Sequence, residues 1–560
     1  MEHPNDETRR QEEALLARYV TNTDKPVFAI KNLHGIVGAV MARYSRAETG
    51  LRETLLREFV KEDKLQMRKA DKLIERVLIA YGDDSVGELE GAHLSFEGIS
   101  MLATKVIEHR RIGGSPIEQS TRYVRYDHKD PEQGYLYVTP EATLNTPHHA
   151  VYRRHMDIIF DAYTAMWQPL YEALQEKKPL ESAEYDLGEM GARWSELQSD
   201  KARRAFKRTY NNDLKTKVCD VLRPFLPLAT RANMGLFGNG RFFQHLISKM
   251  LTANLPEAVQ LGEAAFAELS QVIPHYVKRA KASDYAIRNR DAMADLAGDL
   301  FADLQRTPSD SGIRLVEVDF AWIHEQTQGG GDLRGAWRQA ADLSMLTAML
   351  FPYVRCDFET LRRRVAGLTP DPLKRIWDTY YGNRGTRRDR PERGIEHGQN
   401  HLFDCVTEWA VYKDLMRHRM GTIQVQPLVP DLGFEMPLEI EAAGLGEHAA
   451  RALEASEALY AYLDQHLPRE REYAFLQGHK MRWSVEMNDR ALMHMLELRT
   501  TPQGHPNYRA ACQTMHRLLG EVYPERAQRM AFVNHEDVFW SRSDSEARQR
   551  VKESSMDGEG

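Results

Sequence analysis

The sequence predicts an α+β protein, helix-rich overall, with two related domains that each hold a small, mostly antiparallel sheet flanked by helices. Apolar residues recur at helical spacing over most of the chain, while residues 93–96 alternate as in a short strand. A length of 560 residues exceeds what one hydrophobic core usually supports. A buried helix that ends in an arginine-rich loop occurs in both halves, which indicates an internal duplication.

Clusters of turn-forming residues set the predicted domain boundaries. A cluster of Pro, Ser, Asp and Gly over residues 306–312 is typical of a linker, and three glycines at 329–331 add a second flexible point. We therefore predict a first domain over residues 1–312 and a second over 313–540. The polar residues 541–560 are predicted to form a disordered tail.

Composition excludes several classes of protein. Hydrophobic residues make up 42% and charged residues 28%, and no apolar run approaches the roughly 18 residues of a membrane span. The net charge of -7 argues against a protein whose main role is to coat nucleic acid. The amino terminus lacks an apolar segment, which predicts a cytoplasmic protein. Four separated cysteines without a CxxC pair predict neither disulfides nor a metal site.

The most informative stretch runs from Glu108 to Asp127. Apolar residues on one face of the preceding helix show where it is buried, and the charged loop begins where that face ends. Arg110 and Arg122 supply planar donors suited to phosphate or carboxylate, and Ser120 supplies a hydroxyl. The alternative is a solvated loop whose arginines pair with neighbouring acids.

This stretch resembles the signature of the flavin-dependent thymidylate synthases, in which an RHR triplet closes a helix and a run ending in S-x-R-Y follows. Ser120, Arg122 and Tyr123 match S-x-R-Y, and Glu118 matches the carboxylate before it. His109 and Arg110 match the end of the triplet, but Glu108 replaces its first arginine. A later segment resembles the family's second signature, although its final arginine is replaced by Met250. The matching residues there include Arg223, Asn239 and His245.

The second half keeps the parts that the first half lacks. Arg417, His418 and Arg419 form an intact RHR triplet, and Asn488, His494 and Arg499 match the later signature. In place of S-x-R-Y it has Pro427 to Pro430, which offer no side-chain donors. Glu396 lies 21 residues before Arg417 (417 minus 396), and Glu88 lies 20 residues before Glu108 (108 minus 88). The shared spacing favours duplication, and the losses of the two halves are complementary.

The resemblance implies an enzyme that methylates a pyrimidine nucleotide, most simply dUMP to dTMP, with FAD, NADPH and methylenetetrahydrofolate. It implies Arg499 as the catalytic residue that polarises the base, and the following nucleotide contacts: Glu118, Ser120, Arg122, Tyr123 and Arg223. The implied FAD contacts are Glu88, His109, Arg110, Asn239, His245, Arg417, His418, Arg419, Asn488 and His494.

Since the losses are complementary, we expect a composite site between the two repeats, within one chain or in a homodimer that forms a pseudo-tetramer of repeats. Two alternatives stay open at this point. The chain modifies another pyrimidine nucleotide, or it is a non-catalytic flavin- or nucleotide-binding protein.

Overall fold

The computed structural model describes residues 4–24, 30, 37–44, 51–61, 64–65, 88–109, 113–131, 134–187, 192–301, 312–317, 331–544, 546–548 and 551. Arg110, a predicted FAD contact, and most of the predicted linker, residues 306–311, lie outside the described residues.

The first half of the chain contains a short amino-terminal group of elements and then a strand–helix–strand unit. The elements are α1 (Pro4–Leu16), α2 (Val37–Tyr44), α3 (Leu51–Thr54), a π-helical turn (Leu55–Phe59), β1 (Val60–Lys61), β2 (Lys64–Leu65), β3 (Gly91–Ser100), α4 (Met101–Glu108), β4 (Gly114–Glu118), α5 (Pro147–Lys177), α6 (Asp200–Leu222), β5 (Arg231–Asn239), α7 (Gly240–Thr252), α8 (Pro256–Val272), α9 (Pro274–Val277) and α10 (Asp284–Phe301).

The second half follows the same order after three additional helices. The elements are β6 (Ile313–Val316), α11 (Leu333–Leu350), α12 (Phe358–Ala366), α13 (Pro370–Tyr381), β7 (His401–Glu408), α14 (Trp409–Leu415), β8 (Thr422–Val425), α15 (Leu438–Ala442), α16 (Gly446–His466), β9 (Lys480–Met487), α17 (Asp489–Arg499), α18 (Pro506–Val522) and α19 (Pro524–Gln528).

Two antiparallel sheets repeat one topology. The first has the strand order β3-β5-β4, and the second has the order β6-β7-β9-β8. If the edge strand β6 is left out, each sheet has the third strand of its copy in the middle. β5 lies between β3 and β4, and β9 lies between β7 and β8. Each central strand runs directly into a helix, α7 or α17. The predicted class, helix-rich α+β with small antiparallel sheets, is confirmed.

Equivalent ion pairs also recur in the two copies, which we define as residues 88–277 and 396–528. Arg241 Nη1 lies 2.8 Å from Glu88 Oε1, and Arg490 Nη1 lies 3.2 Å from Glu396 Oε1. Each arginine is the second residue of the helix that follows the central strand. The shared topology and the shared pairs support the duplication that the sequence indicates.

The compact units of the chain do not coincide with the two copies. One unit consists of residues 1–119 and 231–305, and the other of residues 120–230 and 306–560. Helices α5 and α6 belong to the first copy by sequence but to the second unit by packing, since α5 packs along α16. The predicted boundary near residue 312 is therefore one of three places where the chain passes from one unit to the other.

The predicted disordered tail needs correction at its start. Ser541 is buried, and its Oγ accepts a hydrogen bond of 3.0 Å from Arg122 Nη2. Glu546 and Ala547 are also buried. Polar composition alone predicted disorder, but the hydroxyls of this segment bond to charged groups of α6 and of the residue that follows α5. Ser543 Oγ accepts from Lys178 Nζ at 3.0 Å and donates to Asp213 Oδ2 at 2.7 Å.

Within the second unit, two equivalent segments of the copies pair with each other reciprocally. Leu228 N donates to Phe475 O at 2.8 Å, and Gln477 N donates to Leu226 O at 3.0 Å. The equivalent positions Pro227 and Leu476 face each other as an isolated antiparallel bridge. This is the self-complementary contact of a two-fold interface, formed here inside one chain.

The segment from Tyr473 to His479 also holds the start of α14. Trp409 N donates to His479 O and Ala410 N donates to Gln477 O, both at 3.0 Å. These bonds satisfy amides at the amino terminus of α14, which have no partner within the helix. The pairing therefore fixes the end of α6 relative to the helix that leads to the RHR triplet.

The close approach of these segments gives a prediction for Gly478. A Cβ at this position would lie 2.5 Å from Phe434 Cζ and 2.7 Å from Pro224 Cβ. Gly478→Ala should therefore lower the free energy of unfolding by about 1–3 kcal/mol, as overpacking usually does. Chemical denaturation followed by circular dichroism measures the change. Gly446→Ala is the control, because nothing lies within 4 Å of a Cβ there, and equal stability of the two variants would contradict the prediction.

Candidate functional site

The S-x-R-Y loop lies in the second unit, where Arg122 is its buried centre. Arg122 Nε donates to Asp220 Oδ1 at 2.6 Å, and Nη2 donates to Asp220 Oδ2. Nη1 donates to the carbonyl oxygen of Gln503 at 3.1 Å, and Nη2 also donates to Ser541 Oγ. Every nitrogen of this guanidinium therefore has a partner. Ser120 supports the loop, because its Oγ accepts from Arg122 N at 3.4 Å.

Burial and charge together determine the ionisation of this pair. Burial alone would raise the pKa of Asp220, but Arg122 holds that pKa below its usual value. Removing one partner of such a buried pair leaves an uncompensated charge, which typically costs about 3–5 kcal/mol. Arg122 therefore stabilises the fold around the site and is also a candidate ligand contact.

Arg223 lies one residue after α6 and is 2% exposed. Its Nη1 lies 3.1 Å from Asp414 Oδ2, on the helix that leads to the RHR triplet. Nε and Nη2 have no hydrogen-bond partner in the part of the chain that the structure describes. Burial opposes the ionisation of Asp414, but Arg223, followed by Arg499 and Arg417, holds the pKa of that carboxyl well below its usual range. Arg223 therefore keeps buried donors that suit an anion.

The RHR triplet and Arg499 meet at the carboxyl end of α17. Arg499 Nε donates to His418 Nε2 at 2.8 Å, and the rings of His418 and His494 have centroids 5.6 Å apart. Burial, Arg499 and His494 hold the pKa of His418 well below its usual value, so this imidazole is neutral at pH 7. Because Nε2 accepts the bond, the proton of the neutral ring is on Nδ1.

Arg499 also lies beside an aromatic ring. The Cζ of Arg499 lies 5.5 Å from the centre of the Tyr508 ring. Gln503 lies four residues after Arg499, and its carbonyl oxygen accepts a hydrogen bond from Arg122 Nη1. The turn between α17 and α18 therefore connects the S-x-R-Y loop of the first copy to the arginine of the second copy.

Two buried groups of the same unit were not predicted as site residues. His505, 3% exposed, has its pKa lowered to about 3 by burial and by Arg223. Glu408 ends β7 and has its pKa raised to about 7, chiefly by burial. Its Oε1 accepts from Asn507 Nδ2 at 2.8 Å, while Oε2 has no hydrogen-bond partner among the described residues.

The first copy has a contact equivalent to that between Glu408 and Asn507, but there the carboxylate and its hydrogen-bond donor have exchanged places. Ser100, which ends β3, donates from Oγ to Glu257 Oε2 at 2.6 Å. Glu257 and Asn507 are both the second residue of their helices, α8 and α18. The carboxylate thus lies on the helix in the first copy and on the strand in the second.

The other predicted residues of the first copy lie in the first unit. Glu118 is buried and accepts hydrogen bonds from Thr104 Oγ1 at 3.0 Å and Lys105 Nζ at 2.9 Å, so it holds α4 in place. Asn239 Oδ1 caps α7 by accepting from Phe242 N. The side chains of three further predicted flavin contacts are exposed, namely Glu88, His109 and His245.

The second copy has a donor set that fits a dinucleotide. Arg417 is exposed, and Arg419, His494 and Asn488 are half-buried. Asn488 Oδ1 accepts from Ala491 N as the cap of α17, which leaves its amide protons for another partner. Guanidinium and amide donors around a neutral imidazole suit the pyrophosphate and ring carbonyls of a flavin.

Arg122 and Arg223, the two predicted nucleotide-binding arginines of the first copy, are each held by an aspartate that the sequence did not single out. Asp220 lies three residues before Arg223, yet it pairs with Arg122. Asp414 lies three residues before Arg417, yet it pairs with Arg223. The spacing is visible in the sequence, but no local signal indicates the distant partner.

The described residues contain no group of three or more His, Cys, Asp or Glu side chains placed to hold a metal ion. Among the described helices, none is both long and apolar enough to cross a membrane.

Comparison with known proteins gives one family. The family described as "Thymidylate synthase complementing protein" matches residues 35–275 and 386–525, so both copies are recognised separately.

Relatives match over nearly the whole chain. A protein named UPF0159 protein from Chlamydia muridarum is 31% identical over 97% of this chain and 98% of its own length. One of that name from Chlamydia pneumoniae is 32% identical over 96% and 97%, and one from Thermoplasma acidophilum is 27% identical over 92% and 98%. Among solved structures, a UMP/dUMP methylase, PolB of Streptomyces cacaoi, aligns with a TM-score of 0.29 and 18% identity, over 40% of this chain and 97% of its own.

The raised pKa of Glu408 gives a prediction about pH. Its folded pKa of about 7 lies above the ordinary value of 4.5, so the unfolded state ionises first as the pH rises. The wild-type protein should therefore lose stability relative to Glu408→Gln between about pH 4.5 and 7, and the full difference, about 3 kcal/mol, should persist above pH 7. Unfolding free energies of both proteins at pH 4.5 and 8 measure this difference. A difference that does not change with pH would show that burial does not perturb Glu408.

Proposed function

The chain belongs to the family of thymidylate synthase complementing proteins, and from this premise we propose that it methylates dUMP to dTMP at a composite site formed by its two copies. The proposal includes FAD, NADPH as the source of hydride and methylenetetrahydrofolate as the carbon donor. The observation that carries it is the ion pair between Arg223 of the first copy and Asp414 of the second, within one unit of one chain.

The first copy would bind the nucleotide phosphate. Arg223 offers Nε and Nη2, which are buried and lack hydrogen-bond partners among the described residues. A phosphate there would form charge-assisted hydrogen bonds with both donors. Ser120 and Tyr123 flank Arg122 on the S-x-R-Y loop, and a phosphate oxygen can replace Ser541 Oγ on Arg122 Nη2.

The second copy would act on the base. Negative charge develops on the ring oxygens of uracil when its fifth carbon attacks the one-carbon unit, and a fixed guanidinium stabilises that charge. Arg499 fits this role, because its bond to His418 sets its orientation and leaves its two terminal nitrogens to face a ligand. The neutral His418 keeps its proton on Nδ1, where it can donate to a carbonyl.

The RHR triplet, Asn488 and His494 would hold the flavin, which supplies hydride transfer when bound. In the overall reaction a carbon–carbon bond forms between the fifth carbon of uracil and the methylene carbon, and the bonds from that methylene carbon to the folate nitrogens break, which releases tetrahydrofolate. The proton of the fifth carbon leaves, and hydride that originates from NADPH reduces the new carbon to a methyl group. The residues of this chain bind and orient the reactants and exclude water. No side chain has to act as a covalent nucleophile.

The remaining candidates of the first copy have other roles in this proposal. Glu118 is a positioning residue for α4, since Thr104 and Lys105 use both of its oxygens. Glu88, His109, Arg110, Asn239 and His245 stay predicted contacts of FAD. The homodimer also stays a prediction.

The purified protein should carry a flavin absorbance spectrum and release tritium from dUMP labelled at the fifth carbon. Arg499→Ala should lower turnover on the order of 10²- to 10³-fold, because it removes a contact to charge that develops in the transition state. Its affinity for dUMP should change much less.

The matched control is Arg451→Ala, which removes an exposed arginine of α16. Flavin binding without tritium release from any pyrimidine nucleotide would reject the enzymatic proposal and favour a flavin-binding protein. Release from another nucleotide but not from dUMP would reject only the choice of substrate.

A further inference from the structure

A tight loop over residues 384–393, here called the arginine loop, follows α13. Arg384 anchors its start, because its Nη1 donates to Glu497 Oε1 at 2.7 Å and its Nε donates to Asp389 O at 2.6 Å. Asp389 Oδ2 closes the loop by accepting from Gly385 N at 2.9 Å and Thr386 N at 2.7 Å. The side chains of Arg384 and Glu497 are 6% and 2% exposed, so the anchor is buried.

The end of the loop is fixed as well. Arg490 Nε donates to Pro391 O at 3.1 Å, and Gly394 N donates to Tyr380 Oη at 2.8 Å. A loop held at both ends and in its middle presents its side chains in one arrangement, which lowers the entropy cost of binding a ligand.

Three arginines of this loop are not neutralised. The side chains of Arg387, Arg388 and Arg390 form no ion pair or hydrogen bond with the residues that the structure describes, while the carboxylate of Asp389 faces backbone amides. Arg390 and Arg387 act on His494, because after burial they are the largest causes that lower its pKa. His494 in turn lies beside His418, with the ring centroids 5.6 Å apart. The arginine loop therefore extends the cationic surface of the RHR triplet.

A cavity of about 480 Å³ adjoins the far end of the loop at Glu392. Its wall is mostly apolar and aromatic and includes Met349, Leu368, Ile376, Tyr353 and Tyr380, with Arg375 at the side. Tyr353 is 75% exposed, so its ring is accessible to a ligand. Apolar side chains and tyrosine rings with a few polar groups are typical of a site for a planar base.

We propose that the arginine loop and this cavity bind the adenosine diphosphate part of a dinucleotide. Arg387 and Arg390 bind the diphosphate, and the cavity takes the adenine ring. The choice of FAD as the dinucleotide rests on the proposed function, whereas a nicotinamide dinucleotide has the same adenosine diphosphate chemistry.

The test compares ligands that contain this part with one that lacks it. FAD, FMN, ADP and NADPH are titrated into flavin-free protein by fluorescence and calorimetry. Arg387→Ala/Arg390→Ala should weaken FAD and ADP binding at least tenfold and leave FMN binding within about twofold. Leu368→Trp, which places a large ring at the exposed rim of the cavity, should do the same.

Two variants serve as comparators, and circular dichroism checks the fold of each. Arg388→Ala removes an exposed arginine of the same loop that is not among the main causes of the lowered pKa of His494, and it should leave all four affinities unchanged. Arg417→Ala/Arg419→Ala should weaken FAD and FMN alike, because the RHR triplet lies at the flavin end in the proposed function. Proton NMR should also show a higher pKa for His494 in the Arg387→Ala/Arg390→Ala variant.

Each outcome separates this inference from the proposed function. Equal effects of the loop variant on FAD and FMN, or an unchanged pKa of His494, would overturn the inference while flavin binding stands. If the variant keeps its affinity for FAD but loses that for NADPH, the site is confirmed and belongs to the nicotinamide dinucleotide. If the wild-type protein binds no flavin, the proposed function fails, and ADP binding then tests the site alone. ADP binding by the wild-type protein that is lost in the loop variant supports the site. A wild-type protein that binds no ADP rejects it.

Discussion

The reciprocal backbone pairing of residues 224–229 with residues 473–478 is the constraint on which the rest of the second unit depends. It joins the end of α6 to the segment that holds the first amides of α14. Backbone hydrogen bonds fix both α6 and α14 to the segment of residues 473–479. As a result, Arg223 Nη1 at the end of α6 lies 3.1 Å from Asp414 Oδ2 on α14. A two-fold contact that usually joins two subunits is here intramolecular, so this geometry does not depend on protein concentration.

The two copies differ in a complementary way. The first copy retains Arg122 and Arg223, each paired with an aspartate, and the second retains the RHR triplet and Arg499. In the second copy Val429 and Pro430 stand in the S-x-R-Y run, and in the first copy Met250 replaces the final arginine. Charged residues buried without ligand are costly, so a position that no longer contacts a ligand is free to become apolar.

The sequence predicted the class of fold because strand and helix periodicity are local signals. The spacing from Glu88 and from Glu396 to the loop that follows each of them is also a local signal. It could not predict that α5 and α6 pack with the second copy, because that depends on which apolar faces meet in space. The same limit applies to the site. The S-x-R-Y and RHR residues stand out by type and spacing, whereas Asp220 is 98 residues from its partner Arg122 and Asp414 is 191 residues from Arg223. Ser541 was missed for a similar reason, since a polar composition does not reveal the buried arginine that it contacts.

The most direct test of the central claim, a site assembled from both copies within one chain, is a mixing experiment. Arg223→Met impairs the first copy and Arg499→Ala impairs the second, and the two variant chains are co-expressed and purified together. If one chain supplies both residues, the mixture should release tritium from labelled dUMP no faster than the sum of the two variants. Recovery of a substantial fraction of wild-type activity would show that the two arginines act across different chains and would contradict this account.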